Sequence, residues 1–163
     1  MLTPAQQERL QSLHAYEWAD DDPETTTQNL DTIFKEIETE EELWYASFIV
    51  PWDFADGSLH RILNHKLCER GIALFLYWAL DPISCHRNEG ASPLPIAALI
   101  TELEGRFDQG HFDTEHIAFS PLDSPNYHAD HSGIPTPLLA PTTGLAVEFD
   151  YRKAVFTRQQ EDG

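Results

Sequence analysis

Cysteine is scarce in this chain, with only Cys68 and Cys85 among 163 residues. Two thiols make neither a disulfide framework nor a four-ligand zinc site, and both are expected as small buried residues in a reducing compartment. Long apolar runs are missing too. The longest, Gly71 to Leu80, is about half of the ~20 residues a membrane-spanning helix requires. The start, Met1-Leu2-Thr3-Pro4-Ala5-Gln6-Gln7-Glu8, has neither the basic nor the apolar region of a secretory signal, so a cytoplasmic chain is expected. Glycine-rich phosphate loops, a G-x-S-x-G elbow and an H-E-x-x-H pair are all absent, which counts against the common enzyme classes.

Positive charge is the other shortage. Lys and Arg together number 10 against 28 Asp and Glu, a formal net charge of −18. A surface of this sign repels phosphate backbones, whose binding requires cations that displace counterions. It repels anionic membranes for the same reason. A basic protein partner is the macromolecule such a field attracts. Plain solubility is the competing explanation of the acidity.

What is present reads as helix for the first two-thirds. Thr3 caps a helix with Pro4 at its first position and Gln6 three residues after the cap, and Leu10 and Leu13 give it a narrow apolar stripe. Glu17 to Glu24, with Asp20, Asp21 and Asp22 ahead of Pro23, reads as a loop. Leu30, Ile33, Phe34 and Ile37 then mark one face of a helix starting near Thr27. Thr39 and Glu42 form a capping-box pattern before a helix that runs to about Val50. After Pro51 to Gly57, Ser58 is expected to cap a helix with Leu59, Ile62 and Leu63 on its core face. The segment opened by Gly71 is apolar all round and belongs at the centre of a helical pack. Ser92-Pro93 starts a sixth helix carrying Ile96, Leu99, Ile100, Leu103 and Phe107, and Gly110 stops it. Beyond it, Pro121, Pro125, Pro135, Pro137 and Pro141 forbid continuous helix, while alternation at Val147, Phe149 and Tyr151 predicts one short strand.

Between Trp44 and Pro82 the chain resembles a bacterial family, the domain of unknown function numbered 4274. The residues that carry the likeness are the Trp52-Asp53-Phe54-Ala55-Asp56-Gly57 turn, Asn64-His65-Lys66-Leu67-Cys68, and Gly71-Ile72-Ala73-Leu74 leading into Phe75-Leu76-Tyr77-Trp78. Gly110-His111-Phe112 and Ile117-Ala118-Phe119-Ser120-Pro121 resemble the family's weaker tail, so the likeness covers about residues 40 to 125. It implies a small α-helical fold, no established activity and an accessory, antitoxin-like role in bacterial toxin or secretion loci.

Four constellations carry candidate chemistry. In the turn at Trp52, Asp53 and Asp56, two carboxylates and an aromatic offer a recognition surface; helix capping by the aspartates with a wedged Trp52 accounts for the same spacing. His111, Asp113 and His116, with His128, Asp130 and His131, supply the imidazoles and carboxylates that suit zinc or non-haem iron, but no standard ligand spacing. His65 and Cys68 stand at i, i+3, as a cysteine nucleophile and its base would, in a place that also fits a core thiol. Glu17 to Glu42 concentrates eleven acids against Lys35 alone, a docking face for a basic partner or a solvated face.

The sequence thus predicts an all-α single domain over residues 1–163, with stacked antiparallel helical hairpins over 1–110 and an irregular, proline-rich segment over 111–163. Its expected role is non-catalytic protein binding, most concretely as an immunity-type protein that masks a basic toxin or effector. The partner-binding residues are expected at Asp20, Asp21, Asp22, Glu24, Glu40, Glu41, Trp52, Asp53 and Asp56. No cofactor, metal, nucleic acid or membrane is expected. The alternatives are a metal-dependent hydrolase built on His111, Asp113 and His116, and a helical adaptor.

Overall fold

The computed structural model describes residues 2–16, 23–50, 57–87 and 94–147. The fold is all-α. Seven helices occur among these residues: α1 (Pro4–Tyr16), α2 (Pro23–Glu36), α3 (Glu40–Ile49), α4 (Ser58–Leu63), α5 (Arg70–Ala79), α6 (Pro82–Arg87) and α7 (Leu94–Asp108). Two 3₁₀ turns follow, at Pro121–Asp123 and Thr136–Leu138. The short strand expected around Val147 to Tyr151 lies almost wholly outside the described residues. Two compact units are present, one comprising the described residues of Met1–Cys68 together with Val147 and the other those of Glu69–Ala146.

In the first unit α1 packs on α2 and α3, and both of those pack on α4. The apolar positions do what their spacing dictates. Leu10 and Leu13 of α1, Leu30, Ile33 and Phe34 of α2, Ile37 just beyond it, and Leu59 and Ile62 of α4 are all buried. Thr3 and Gln6 form the reciprocal cap, the Gln6 amide N–H reaching Thr3 Oγ1 at 3.3 Å and the Thr3 N–H reaching Gln6 Oε1 at 2.7 Å. Helix α2 begins at Pro23, a turn earlier than its apolar pattern indicates, because proline suits the first position of a helix.

Helix α3 is capped by Thr39, whose Oγ1 accepts the Glu42 N–H at 3.2 Å. The Glu42 carboxylate does not return to the cap itself. It accepts the Glu38 N–H at 3.0 Å and takes a two-pronged bond from Arg9, at 2.6 Å from Nε and 3.1 Å from Nη2. Glu42 is 0 % exposed, so its charge is balanced inside the unit by a guanidinium from α1.

The second unit is organised around α5. Ile72, Ala73, Leu74, Leu76, Tyr77 and Trp78 are buried, and the helix packs on α6, α7 and the Pro121–Asp123 turn. Its cap is Glu69, 2 % exposed, whose two oxygens accept different amides: Ile72 N–H at 2.9 Å and His116 N–H at 3.0 Å. One carboxylate therefore starts the helix and holds a segment 47 residues away. Gly71 completes the close approach. A Cβ there would sit 2.2 Å from the Ile117 carbonyl oxygen, so only glycine allows the helix this near. At the other end Trp78 Nε1–H donates to Leu138 O at 2.9 Å, and the Asn126 amide donates to Trp78 O at 3.0 Å.

Residues 111–146 contain no helix longer than one turn, but backbone bonds tie parts of the segment together. Ile117 and Leu145 form a parallel bridge, with Leu145 N–H on His116 O at 2.8 Å and Ala118 N–H on Leu145 O at 2.9 Å. The buried Thr142 hydroxyl accepts the Phe119 N–H and donates to Ile117 O, both at 2.8 Å. No helix among the described residues is long and apolar enough to cross a membrane.

Candidate functional site

Of the residues expected to bind a partner, Asp20, Asp21, Asp22, Trp52, Asp53 and Asp56 lie outside the described residues. Glu24 stands exposed in the first turn of α2, and Glu40 and Glu41 are half-buried in the first turn of α3. A carboxylate at a helix N-terminus is stabilised by the partial positive charge of the free N–H groups, so all three have a local reason for their positions. The acidic stretch is not uniform. Glu42 is sequestered with Arg9, Glu38 shares that guanidinium at 3.2 Å, and Asp31 pairs with Arg61 at 2.8 Å.

The pattern extends through the chain. Each of the five arginines among the described residues meets a carboxylate: Arg9 with Glu42, Arg61 with Asp31, Arg70 with Glu115, Arg87 with Asp130 and Arg106 with Glu102. Glu115 is held below the usual carboxylate range by hydrogen bonds from the Thr143 N–H and hydroxyl, helped by Arg70. Asp130 is held low by its bonds from Ser132, with Arg87 adding to them.

The histidine constellation does not assemble. His111, Asp113, His116 and His128 are exposed, and among the described residues no three His, Cys, Asp or Glu side chains could jointly hold a metal. Local structure explains the dispersal. The His111 N–H closes the end of α7 on Arg106 O at 3.0 Å, whereas the His116 backbone is clasped between Glu69 and Leu145. His131 stacks on Tyr127 with ring centroids 5.7 Å apart.

The His65–Cys68 pair fares differently from either expectation. His65 Nε2–H donates to Phe34 O at 3.0 Å, while Nδ1 accepts the Leu67 N–H at 3.2 Å. Both ring nitrogens are thus occupied by backbone, which fixes the neutral tautomer and leaves no base for a thiol. Burial, with Lys66 adding to it, holds the imidazole below its ordinary pKa. Cys68 and Cys85 are half-buried rather than core residues.

One constellation escaped the sequence reading. Glu104 of α7 receives two bonds on Oε1, from the Tyr77 hydroxyl of α5 at 2.7 Å and from His86 Nε2 of α6 at 2.6 Å. A carboxylate only accepts, so His86 donates through Nε2. Burial and the neighbouring carboxylate push the Tyr77 hydroxyl far above its ordinary pKa, and it remains a neutral donor. The three residues are 27 and 18 positions apart in sequence, and no local pattern links them. Glu104 also lines an open groove of about 370 Å³ with Thr101, Gly105, Phe107, Asp108 and the prolines 135 and 137. A second groove, about 530 Å³, lies in the first unit beside Lys35, Arg61, His65 and Lys66.

Compared with known proteins, the chain has no matching family model, curated protein or solved structure.

Proposed function

We propose that the chain is a non-catalytic binding domain for a basic protein, most concretely an immunity-type protein that masks a basic bacterial toxin. The observation that carries this reading is the fate of the cations. Every arginine among the described residues already faces a carboxylate of its own chain. Acids outnumber Lys and Arg by 28 to 10, so the surplus has no internal counter-charge and its field extends outward. The resemblance to the toxin-associated bacterial family points the same way, and the partner-binding residues of this reading are Asp20 to Asp22, Glu24, Glu40, Glu41, Trp52, Asp53 and Asp56.

Charge steering acts mainly on the association rate. Co-expression with the product of the adjacent gene is expected to rescue cells that this product kills alone. Between the purified proteins, the on-rate should fall steeply as salt rises. Joint charge reversal of Asp20, Asp21 and Asp22 should slow association and leave the helical circular-dichroism spectrum unchanged. A harmless neighbour, or two proteins that fail to co-purify at low salt, defeats the proposal.

A further inference from the structure

Helix α7 carries a glycine in its interior, at position 105 of Leu94–Asp108. Glycine in a helix interior is less favourable than alanine, so its place there invites a reason. Packing is not the reason, because a Cβ built on Gly105 meets nothing within 4 Å. Nor does Gly105 take the left-handed conformation found at Gly57, Gly110, Gly133 and Gly144. What its missing side chain does is open the groove between α7 and the Thr136–Leu138 turn.

We infer that this groove seats a lysine or arginine side chain projecting from the basic protein partner, an inference that rests on the function proposed above. The groove of about 370 Å³ is near the lower end of the ~300–1,000 Å³ range of small-ligand sites. Pro135, Pro137 and Phe107 offer apolar surface to a methylene stem, whereas Glu104 and Asp108 supply negative charge for its head. Glu104 is pre-positioned. Both of its bonds, from Tyr77 and His86, fall on Oε1, and Oε2 has no hydrogen-bond donor among the described residues. Asp108, one turn further along the helix, is exposed and in no ion pair among the described residues. Arg70 lies close by, its guanidinium 5.5 Å from the Phe107 centroid and bonded to Pro137 O at 2.7 Å, but its charge faces Glu115. Gly105 leaves the gap through which a stem enters.

The test uses the full chain and nitrogen-15 NMR, with acetyl-arginine amide and acetyl-lysine amide as probes and acetyl-citrulline amide as the neutral control. The cationic probes are expected to shift the amides of Thr101, Gly105 and Asp108, and citrulline is not. Gly105→Leu, which adds bulk to the groove at a position where a Cβ meets nothing within 4 Å, should weaken probe binding at least about tenfold, as should the exposed change Asp108→Asn. Shifts spread evenly over the acidic surface and unchanged in Gly105→Leu would overturn the inference. So would undiminished affinity of Gly105→Leu for the basic product of the adjacent gene, an outcome that leaves the proposed function standing. Probe binding at the groove without any basic partner that co-purifies would overturn the proposed function and, with it, the assignment of the side chain to such a partner.

Discussion

Glu42 shows how much a single residue's meaning depends on what folds against it. In the sequence it is one acid in a run of acids and the third residue of a helix start; in the structure it is 0 % exposed and forked by Arg9. Its place three residues after the Thr39 cap was legible, but the reciprocal bond of a capping box is not made. The arginine 33 positions earlier that takes the carboxylate instead was not legible, because ion pairing across helices leaves no local trace. Removing one partner of a buried pair strands the other charge, so Arg9→Ala should cost roughly 3–5 kcal/mol in urea unfolding. A loss under about 0.5 kcal/mol, within the surface range, would mean that water replaces the fork. His65 makes a prediction of opposite chemistry. The folded state resists its proton through burial and Lys66, although Phe34 O and the charge of Glu42 act against this. The unfolded chain takes that proton first, so stability is full above the ordinary value of 6.5 and falls as pH drops through the lower folded value. Thermal melts from pH 8 to 5 should show this fall, and His65→Gln should flatten its contribution.

The elements themselves were largely legible. Six helices follow from apolar spacing and caps, although α4 starts at Ser58 with a left-handed Gly57 in the cap position expected for the serine, and Leu74 is 0 % exposed where an all-apolar helix places it. Leu74→Ala is therefore expected to cost about 2–5 kcal/mol by chemical denaturation. The missed helix, α6, is six residues long and too short to show a periodic face. Its signal was Asp81 followed by Pro82: Asp81 adopts a left-handed φ of 55° and its Oδ1 accepts the Ser84 N–H. The two helical glycines predict opposite outcomes for one substitution. Gly71→Ala drives a methyl into the Ile117 carbonyl and should destabilise by about 1–3 kcal/mol. Gly105→Ala meets open space and should stabilise by roughly 0.5–1 kcal/mol. Paired melting curves decide both, and equal effects at the two sites would contradict the environments described. Neither environment could be read from sequence, since each depends on what lies opposite the helix.

For the whole molecule, charge was the most legible property and the identity of a partner the least. A formal charge of −18 is a count, and self-repulsion follows from it directly. Raising ionic strength from ~10 to ~150 mM shortens the screening length from ~30 to ~8 Å. The melting temperature should rise accordingly, by about 2–4 °C for each kcal/mol of repulsion removed. A melting temperature that falls with added salt would instead mean that the internal arginine pairs outweigh the surplus acids. The Tyr77–Glu104–His86 contact and the groove at Gly105 were illegible for another reason, because tertiary packing alone brings α5, α6 and α7 together.

The grip of Glu69 on the His116 amide reaches beyond capping. Irregular segments usually exchange their amide protons with solvent quickly and offer proteases an extended chain. Here the N–H groups of His116, Ala118 and Phe119 are engaged by a buried carboxylate, a carbonyl and a hydroxyl. In deuterium exchange the His116 amide should stay protected as long as the first amides of α5, since it opens only when the carboxylate that caps that helix lets go, whereas Ala118 and Phe119 open only when Leu145 and Thr142 release them. A protease should pass over this stretch for the same reason, although by secondary structure alone it reads as coil.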